Sequence, residues 1–156
     1  MYATTLEKRI SKFLKPFGIK RAKCGKSFFY HPASGTVHFT ILRYDDDKEL
    51  IDFVNEKYGV DIEPFYFIFS LLHEVGHHFT IDQLTEEQWA QEAFMRELVF
   101  PNREYEHKIY FDLPAEDLAD RWAIEYIDQH LQECWDFQLR CFKNMEHIYK
   151  KRSFRY

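Results

Sequence analysis

The chain has 156 residues, which fits one domain with a sizeable core, and we predict a single domain over residues 1–156. Its composition, 46% apolar and 19% aromatic, excludes a disordered chain, and its net charge of −5 argues against a general nucleic-acid-binding protein. Three cysteines without a C-x-x-C pair, and a charged N-terminus that lacks the apolar core of a signal peptide, predict reduced thiols and a cytoplasmic protein.

The N-terminal third of the chain predicts a helix followed by a small sheet. Apolar residues recur every three or four positions over Thr4 to Phe17, which is typical of an amphipathic helix. Ser27 to His31 and Thr36 to Tyr44 are rich in aromatic and β-branched residues, and the turn residues Pro32 to Gly35 separate them. We therefore predict a small antiparallel sheet built on a β-hairpin, to which Ile19 to Lys23 could add a third strand.

The remaining elements are predicted to be helical, which makes the fold class α+β with mostly helices. Lys48 to Tyr58 forms one helix, and the acidic run Asp45 to Asp47 could cap it. Thr85 and Gln88 have the spacing of a capping box, which begins a helix that runs to about Phe100. Residues 102–113 are expected to be irregular. Pro114 begins a long helical pattern that either divides near His130 or continues, bent, to about Lys151.

The stretch Ile68 to Thr80, IFSLLHEVGHHFT, contains the chemistry-bearing motif H-E-x-x-H. Residues four apart lie on the same face of a helix, so His73 and His77 can both direct a ring nitrogen at one metal ion. Glu74 can then reach a water molecule beside that metal without being a ligand, which is the arrangement of zinc hydrolases. The helix is strongly apolar but too short to cross a membrane, which takes about 20 apolar residues. The simpler alternative is two core histidines bonded to carbonyl groups.

A catalytic zinc ion generally has three protein ligands, so a third ligand must come from elsewhere in the chain. The extended motif with a third histidine is absent, because Thr80 and Gln83 stand at its glycine and histidine positions. A carboxylate from a later helix is the common substitute, and Glu116 is the first candidate. Asp120, four residues later, could accept the second ring N–H of a ligand histidine. Glu92 is the second candidate. Weaker candidates are His78 and His107.

These residues also carry a resemblance to a known family. His73-Glu74-Val75-Gly76-His77, followed by E-x-x-A-D-x-W-A from Glu116 to Ala123, resembles the ImmA/IrrE family of zinc metallopeptidases and the broader gluzincin pattern of H-E-x-x-H joined by E-x-x-x-D. The resemblance implies a zincin-like domain in which His73, His77 and Glu116 bind Zn²⁺, Glu74 is the general base and Asp120 supports the site. Family members are often encoded on phages and other mobile elements, and some are implicated in cleaving a transcriptional repressor.

Together, the residues and the resemblance predict a cytoplasmic zinc metalloendopeptidase of the H-E-x-x-H type. Its expected partner is a protein or peptide substrate, for which the resemblance suggests a transcriptional repressor, with no direct nucleic-acid or membrane binding. A further hydrogen-bond donor for the reacting carbonyl could come from Tyr105, His107 or Tyr110. The alternative is a non-catalytic protein-interaction module with a structural or sensing zinc site. A third hypothesis, a DNA-associated module, rests only on the basic C-terminus.

Overall fold

The computed structural model describes residues 2–41, 48–99, 101 and 107–153. The structure is mostly helical with one small sheet, which confirms the predicted α+β class. In chain order the helices and strands are α1 (Tyr2–Leu14), β1 (Arg21–Cys24), β2 (Phe29–His31), β3 (Thr36–Phe39), α2 (Lys48–Tyr58), α3 (Tyr66–Thr80), α4 (Glu86–Phe94), α5 (His107–Phe111), α6 (Pro114–Gln129) and α7 (Leu131–Ser153).

The sheet has three strands in the order β1-β3-β2 and is mixed. β2 and β3 form the predicted antiparallel hairpin, with Tyr30 opposite Val37. The third strand, predicted near Ile19 to Lys23, is present as β1, but it pairs parallel to β3, with Ala22 opposite Val37. The prediction of a wholly antiparallel sheet is therefore wrong. The central strand β3 runs parallel to β1 on one side and antiparallel to β2 on the other.

The outer edge of β1 is closed by side chains of α1. The hydroxyl of Ser11 accepts the backbone N–H of Ala22 at 2.8 Å, and a carboxylate oxygen of Glu7 accepts that of Cys24 at 2.8 Å. Ser11 and Glu7 lie one helical turn apart, which matches the alternate N–H groups of the strand. The opposite edge of the sheet is β2, which contacts α3. The β2 edge therefore lies beside the H-E-x-x-H helix.

Helix α3 lies at the centre of the core, and most of its side chains are buried. Its closest neighbour is α6, which approaches at Gly76: a Cβ atom there would lie 2.6 Å from the carbonyl oxygen of Ala119. Helix α7 covers the beginning of α3. The pairing of a glycine with an alanine lets the two helices that carry the candidate site residues approach closely.

Several predicted helix boundaries are confirmed and one region is corrected. Gly18, with φ of 84°, ends the first helical segment, and both hydrogen bonds of the Thr85 capping box are present. Helix α4 changes at Met95–Val99 into a π-helical turn. The region expected to be irregular contains α5, and the long helical pattern divides at His130 as one of the two alternatives predicted. The expected cap at residues 45–47 lies outside the described residues.

Among the described helices, none combines the length and the apolar character needed to cross a membrane.

Candidate metal centre

Three side chains from α3 and α6 form a compact group at the end of the core. His73 and His77 project from the same face of α3, one turn apart, and Glu116 lies in the first turn of α6. One ligand atom from each residue lies within 4.8 Å of the others. Oε2 of Glu116 is 2.7 Å from Nε2 of His73 and 3.5 Å from Nε2 of His77. This group could bind a metal ion.

Asp120 fixes the orientation of His73 from the opposite side of the ring. Its Oδ1 lies 2.7 Å from Nδ1 of His73, and the Asp120 side chain is almost completely buried. With the Nδ1 proton directed at this carboxylate, Nε2 is the ring nitrogen that would bind a metal ion. The structure therefore places Asp120 where the sequence-based hypothesis puts a supporting residue. The alternative of core histidines bonded to backbone carbonyl groups does not describe His73, whose two ring nitrogens face carboxylates.

The electrostatics of the group reflect two carboxylates beside one imidazole. Burial opposes the charged form of His73, but the hydrogen bonds to Asp120 and Glu116 outweigh it and raise the pKa of His73 well above its usual value. Burial likewise opposes the charged form of Glu116, yet its contacts with His73 and His77 hold its pKa well below the usual value. Glu116 is thus an anion at neutral pH, as a metal ligand must be.

Glu74 lies beside this group but is not a member of it. The residue is only 7% exposed and lines the same cavity. Burial raises the pKa of Glu74, partly offset by the nearby imidazoles of His73 and His77, and Glu116 raises it further. The backbone of Tyr30, in β2, also acts to lower the pKa of Glu74. Glu74 therefore lies beside the strand at the edge of the sheet.

The group opens into a cavity of about 880 Å³. One wall comes from the end of the sheet and includes Phe29, Tyr30 and Ile41. Another part of the lining comes from α4 and the π-helical turn after it, and includes Trp89 and Arg96. The cavity is large enough for a segment of peptide, and most of these wall residues are aromatic or aliphatic.

Glu92, the second candidate for the third ligand, does not belong to the group. It is 3% exposed; its Oε1 accepts the backbone N–H of Ala115 at 2.8 Å, and its Oε2 accepts Nε–H of Arg96 at 2.8 Å. Arg96 in turn donates from Nη2 to Oε1 of Glu116 at 2.8 Å. Arg96 is not among the residues predicted from the sequence, although its spacing of four residues from Glu92 was a signal for this ion pair.

The remaining candidates have other positions. His78 is half-buried and its Nδ1 lies 2.7 Å from the hydroxyl of Tyr30, which attaches β2 to α3. Tyr110 lines the cavity, and its hydroxyl accepts a hydrogen bond from Nη1 of Arg96 at 2.9 Å. Tyr105 lies outside the described residues, and the side chain of His107 is not among those described.

Comparisons of the chain with protein-family models, with curated proteins and with solved structures found no match.

Proposed function

We propose that this protein is a zinc-dependent metallopeptidase with a zincin-like arrangement of α3 and α6. The observation that carries the proposal is the buried group of His73, His77 and Glu116, with Glu74 in the same cavity. A buried carboxylate next to a ligand histidine serves no purpose in a site that only stabilises the fold. In a hydrolase it serves as the general base.

The donor atoms support zinc over harder cations. Two imidazole nitrogens and one carboxylate oxygen are the ligands of several catalytic zinc sites, whereas Ca²⁺ and Mg²⁺ prefer oxygen ligands alone. The contact of Asp120 with His73 supplies the second hydrogen-bonded layer that such sites usually have. When bound by these three residues, Zn²⁺ supplies a Lewis acid and lowers the pKa of water in the cavity.

Glu74 would perform the proton transfers of peptide hydrolysis. As a carboxylate it accepts the proton of the attacking water, and as the acid it returns that proton to the leaving amine. A general base works best when its pKa lies near the operating pH, and burial shifts the pKa of Glu74 in that direction.

A peptide is the substrate that the surroundings of the site favour. Strand β2 is an edge strand and its residues line the cavity, so an extended peptide could pair with it beside Glu74. The substrate is then a protein or peptide, and the motif resemblance to ImmA/IrrE proteins makes a transcriptional repressor the first protein to test.

The test compares wild type with Glu74→Gln after both proteins are stripped of metal and reloaded with zinc. Wild type should bind one zinc ion and cleave members of a mixed peptide library, with the cleavage sites read by mass spectrometry. Glu74→Gln should keep the zinc ion but lose about 10²- to 10⁴-fold in rate, since it removes general-base catalysis. Glu63→Gln, an exposed position just before α3, is the matched control and should cleave like wild type.

Two results would count against the proposal. Equal cleavage by wild type and Glu74→Gln would assign the activity to a contaminant. Zinc binding without cleavage of peptides or of unfolded protein would favour the alternative predicted from the sequence, a protein-interaction module with a structural or sensing zinc site.

A further inference from the structure

Glu116 presents its two carboxylate oxygens to different partners. Oε2 faces the imidazoles, 2.7 Å from His73 and 3.5 Å from His77, whereas Oε1 accepts a hydrogen bond of 2.8 Å from Arg96. We propose that Arg96 is a positioning residue that holds Oε1 and so directs Oε2 alone at the metal. This inference rests on the metal site of the proposed function and adds a residue that the motif does not include.

The guanidinium group is itself held by two further residues, which makes it a rigid support. Nε donates to Oε2 of Glu92, and Nη1 donates to the hydroxyl of Tyr110, over whose ring the guanidinium lies at 4.9 Å. The planar group of arginine can donate in several fixed directions at once, which a lysine ammonium cannot reproduce. Arg96 therefore connects three side chains from three different elements in one geometry.

Glu92 extends this connection to the backbone of α6. Its second oxygen accepts the N–H of Ala115, the residue directly before Glu116. The side chain of Glu116 is thus fixed through Arg96, and the helix turn that carries Glu116 is fixed through Glu92. Both residues that provide this support come from α4 and the π-helical turn that follows it, and π-helical turns are often found at functional sites.

Arg96 also balances the negative charge of two carboxylates, Glu92 and Glu116. Glu92 and Glu116 are both buried carboxylates and lie on either side of it. The positive charge of Arg96 lies between the two carboxylates and makes a charge-assisted hydrogen bond to each. It also occupies Glu92, whose free carboxylate could otherwise compete with Glu116 for the metal.

The experiment measures zinc affinity by competition with a chromophoric chelator in wild type, Arg96→Gln and Arg96→Lys. Removing a residue that orients a metal ligand typically weakens metal binding about 10- to 100-fold, which we expect for Arg96→Gln. Arg96→Lys keeps the charge but not the planar geometry and should lie between the two. Arg121→Gln is the matched control, because Arg121 also pairs with a carboxylate four residues away but does so on the exposed face of α6.

A second readout separates positioning from general stability. In Co²⁺-substituted protein, the visible absorption spectrum reports the number and geometry of the ligands. Arg96→Gln should change this spectrum because Glu116 is free to bind through both oxygens or to detach, and Arg121→Gln should not. Tyr110→Phe, which removes one acceptor of the guanidinium, provides a milder variant and should shift zinc affinity in the same direction as Arg96→Gln.

The outcomes distinguish this inference from the proposed function. Zinc affinity and a Co²⁺ spectrum in Arg96→Gln equal to those of wild type would overturn the role of Arg96 and leave the peptidase proposal intact. If Arg96→Gln binds zinc more weakly than wild type while the wild-type protein cleaves no peptide, the role of Arg96 is supported and the peptidase proposal is overturned. A wild type that binds no zinc would overturn both.

Discussion

The two halves of α3 bury polar groups in different ways. At the beginning of the helix, the N–H groups of Phe67 and Ile68 receive no side-chain cap from the residues that precede them. Gln138 of α7, fully buried, accepts both N–H groups at 3.2 and 3.0 Å and donates to the carbonyl of Pro64 at 2.7 Å. Every partner here is neutral and hydrogen-bonded, which is how a folded protein buries polar groups at low cost.

The second half of the helix instead buries ionisable groups. His73 and Glu74 are 8% and 7% exposed, and the two ring nitrogens of His73 face the carboxylates of Glu116 and Asp120. Taking such charges out of water costs several kcal/mol, and well-packed apolar residues often stabilise a core as well or better. The contrast indicates that the first half is arranged for stability, whereas the second half keeps a costly arrangement that a bound metal ion would compensate.

Replacing the cap should produce the largest loss of stability. Gln138→Leu leaves two buried N–H groups of α3 without a partner, and each such group costs about 1–3 kcal/mol. Because leucine recovers part of this by apolar burial, we expect the free energy of unfolding to fall by about 2–4 kcal/mol. Urea denaturation followed by circular dichroism measures the change.

The same variant tests whether the two halves are independent. Folded Gln138→Leu should bind zinc with wild-type affinity, since the substitution does not touch the ligand group. Gln132→Leu, on the exposed side of the same helix, is the control and should change neither quantity. A loss of zinc affinity in Gln138→Leu at temperatures where it is folded would show that the halves are coupled.

Gly76 lies where α3 and α6 are closest, so its substitution should affect both properties. Helix propensity alone would make Gly76→Ala more stable by about 1 kcal/mol. The added Cβ would lie 2.6 Å from the carbonyl oxygen of Ala119, and both contacting atoms belong to helix backbones. We therefore expect a net loss of about 1–3 kcal/mol and weaker zinc binding, measured by thermal denaturation and chelator competition.

Gly25→Ala is the control for this prediction, because a Cβ at that position meets no atom within 4 Å. A Gly76→Ala protein more stable than wild type would mean that the helices separate without cost.

Asp120→Asn should affect metal binding more than folding. Asparagine keeps an oxygen that can accept the Nδ1–H of His73, but it removes the negative charge that raises the basicity of the ring. We expect zinc affinity to fall about tenfold, near the lower end for such supporting residues. The metal-free protein should change little in stability, since asparagine keeps the hydrogen bond to Nδ1 and Glu116 still faces the imidazole. Isothermal titration with zinc and urea denaturation without it measure the two effects, and a metal-free Asp120→Asn that loses several kcal/mol of stability would show that Asp120 serves the fold first and the metal second.

The elements that depend on local pattern could be predicted from the sequence. Helical periodicity, the Thr85 capping box and the turn at Pro32 to Gly35 involve residues that interact within a few positions. The order of the strands could not be predicted in this way. Which strand lies in the middle is decided by contacts between α1, β1 and β3, and the alternation within each strand is the same whichever neighbour it has.

Some residues of the site could likewise be predicted from the sequence, and others could not. His73 and His77 are one helical turn apart, and a carboxylate at the start of a later helix was the evident place to look for a third donor. The contacts of Arg96 with Glu116 and of Gln138 with Ile68 were missed because the partners lie 20 and 70 residues apart in the chain. Glutamine on a helix is also usually exposed, so nothing in the local pattern marks the buried Gln138. Contacts of this kind become visible only when the helices are packed.

Asp117 lies on α6 three residues before Asp120 but is partly exposed, so its substitution should have the smallest effect on stability. Burial would raise the pKa of Asp117, but the hydrogen bonds from Tyr58, Lys57 and Arg121 together lower it below its ordinary value. A carboxylate whose pKa is lower in the folded state stabilises the fold above its unfolded pKa, near 4, and loses this contribution as the pH falls through the folded value. Partly exposed ion pairs contribute only about 0.2–1 kcal/mol.

Asp117→Asn should therefore be slightly less stable than wild type at pH 7, and the difference should shrink as the pH falls below about 4. Thermal denaturation of both proteins in steps from pH 7 to pH 3, without metal, measures the difference directly. A difference that stays constant over this range would show that Asp117 acts through its shape and hydrogen bonds and not through its charge. In either case zinc affinity at pH 7 should not change, because the Asp117 carboxylate contacts α2 and the outer face of α6 and not the ligand group.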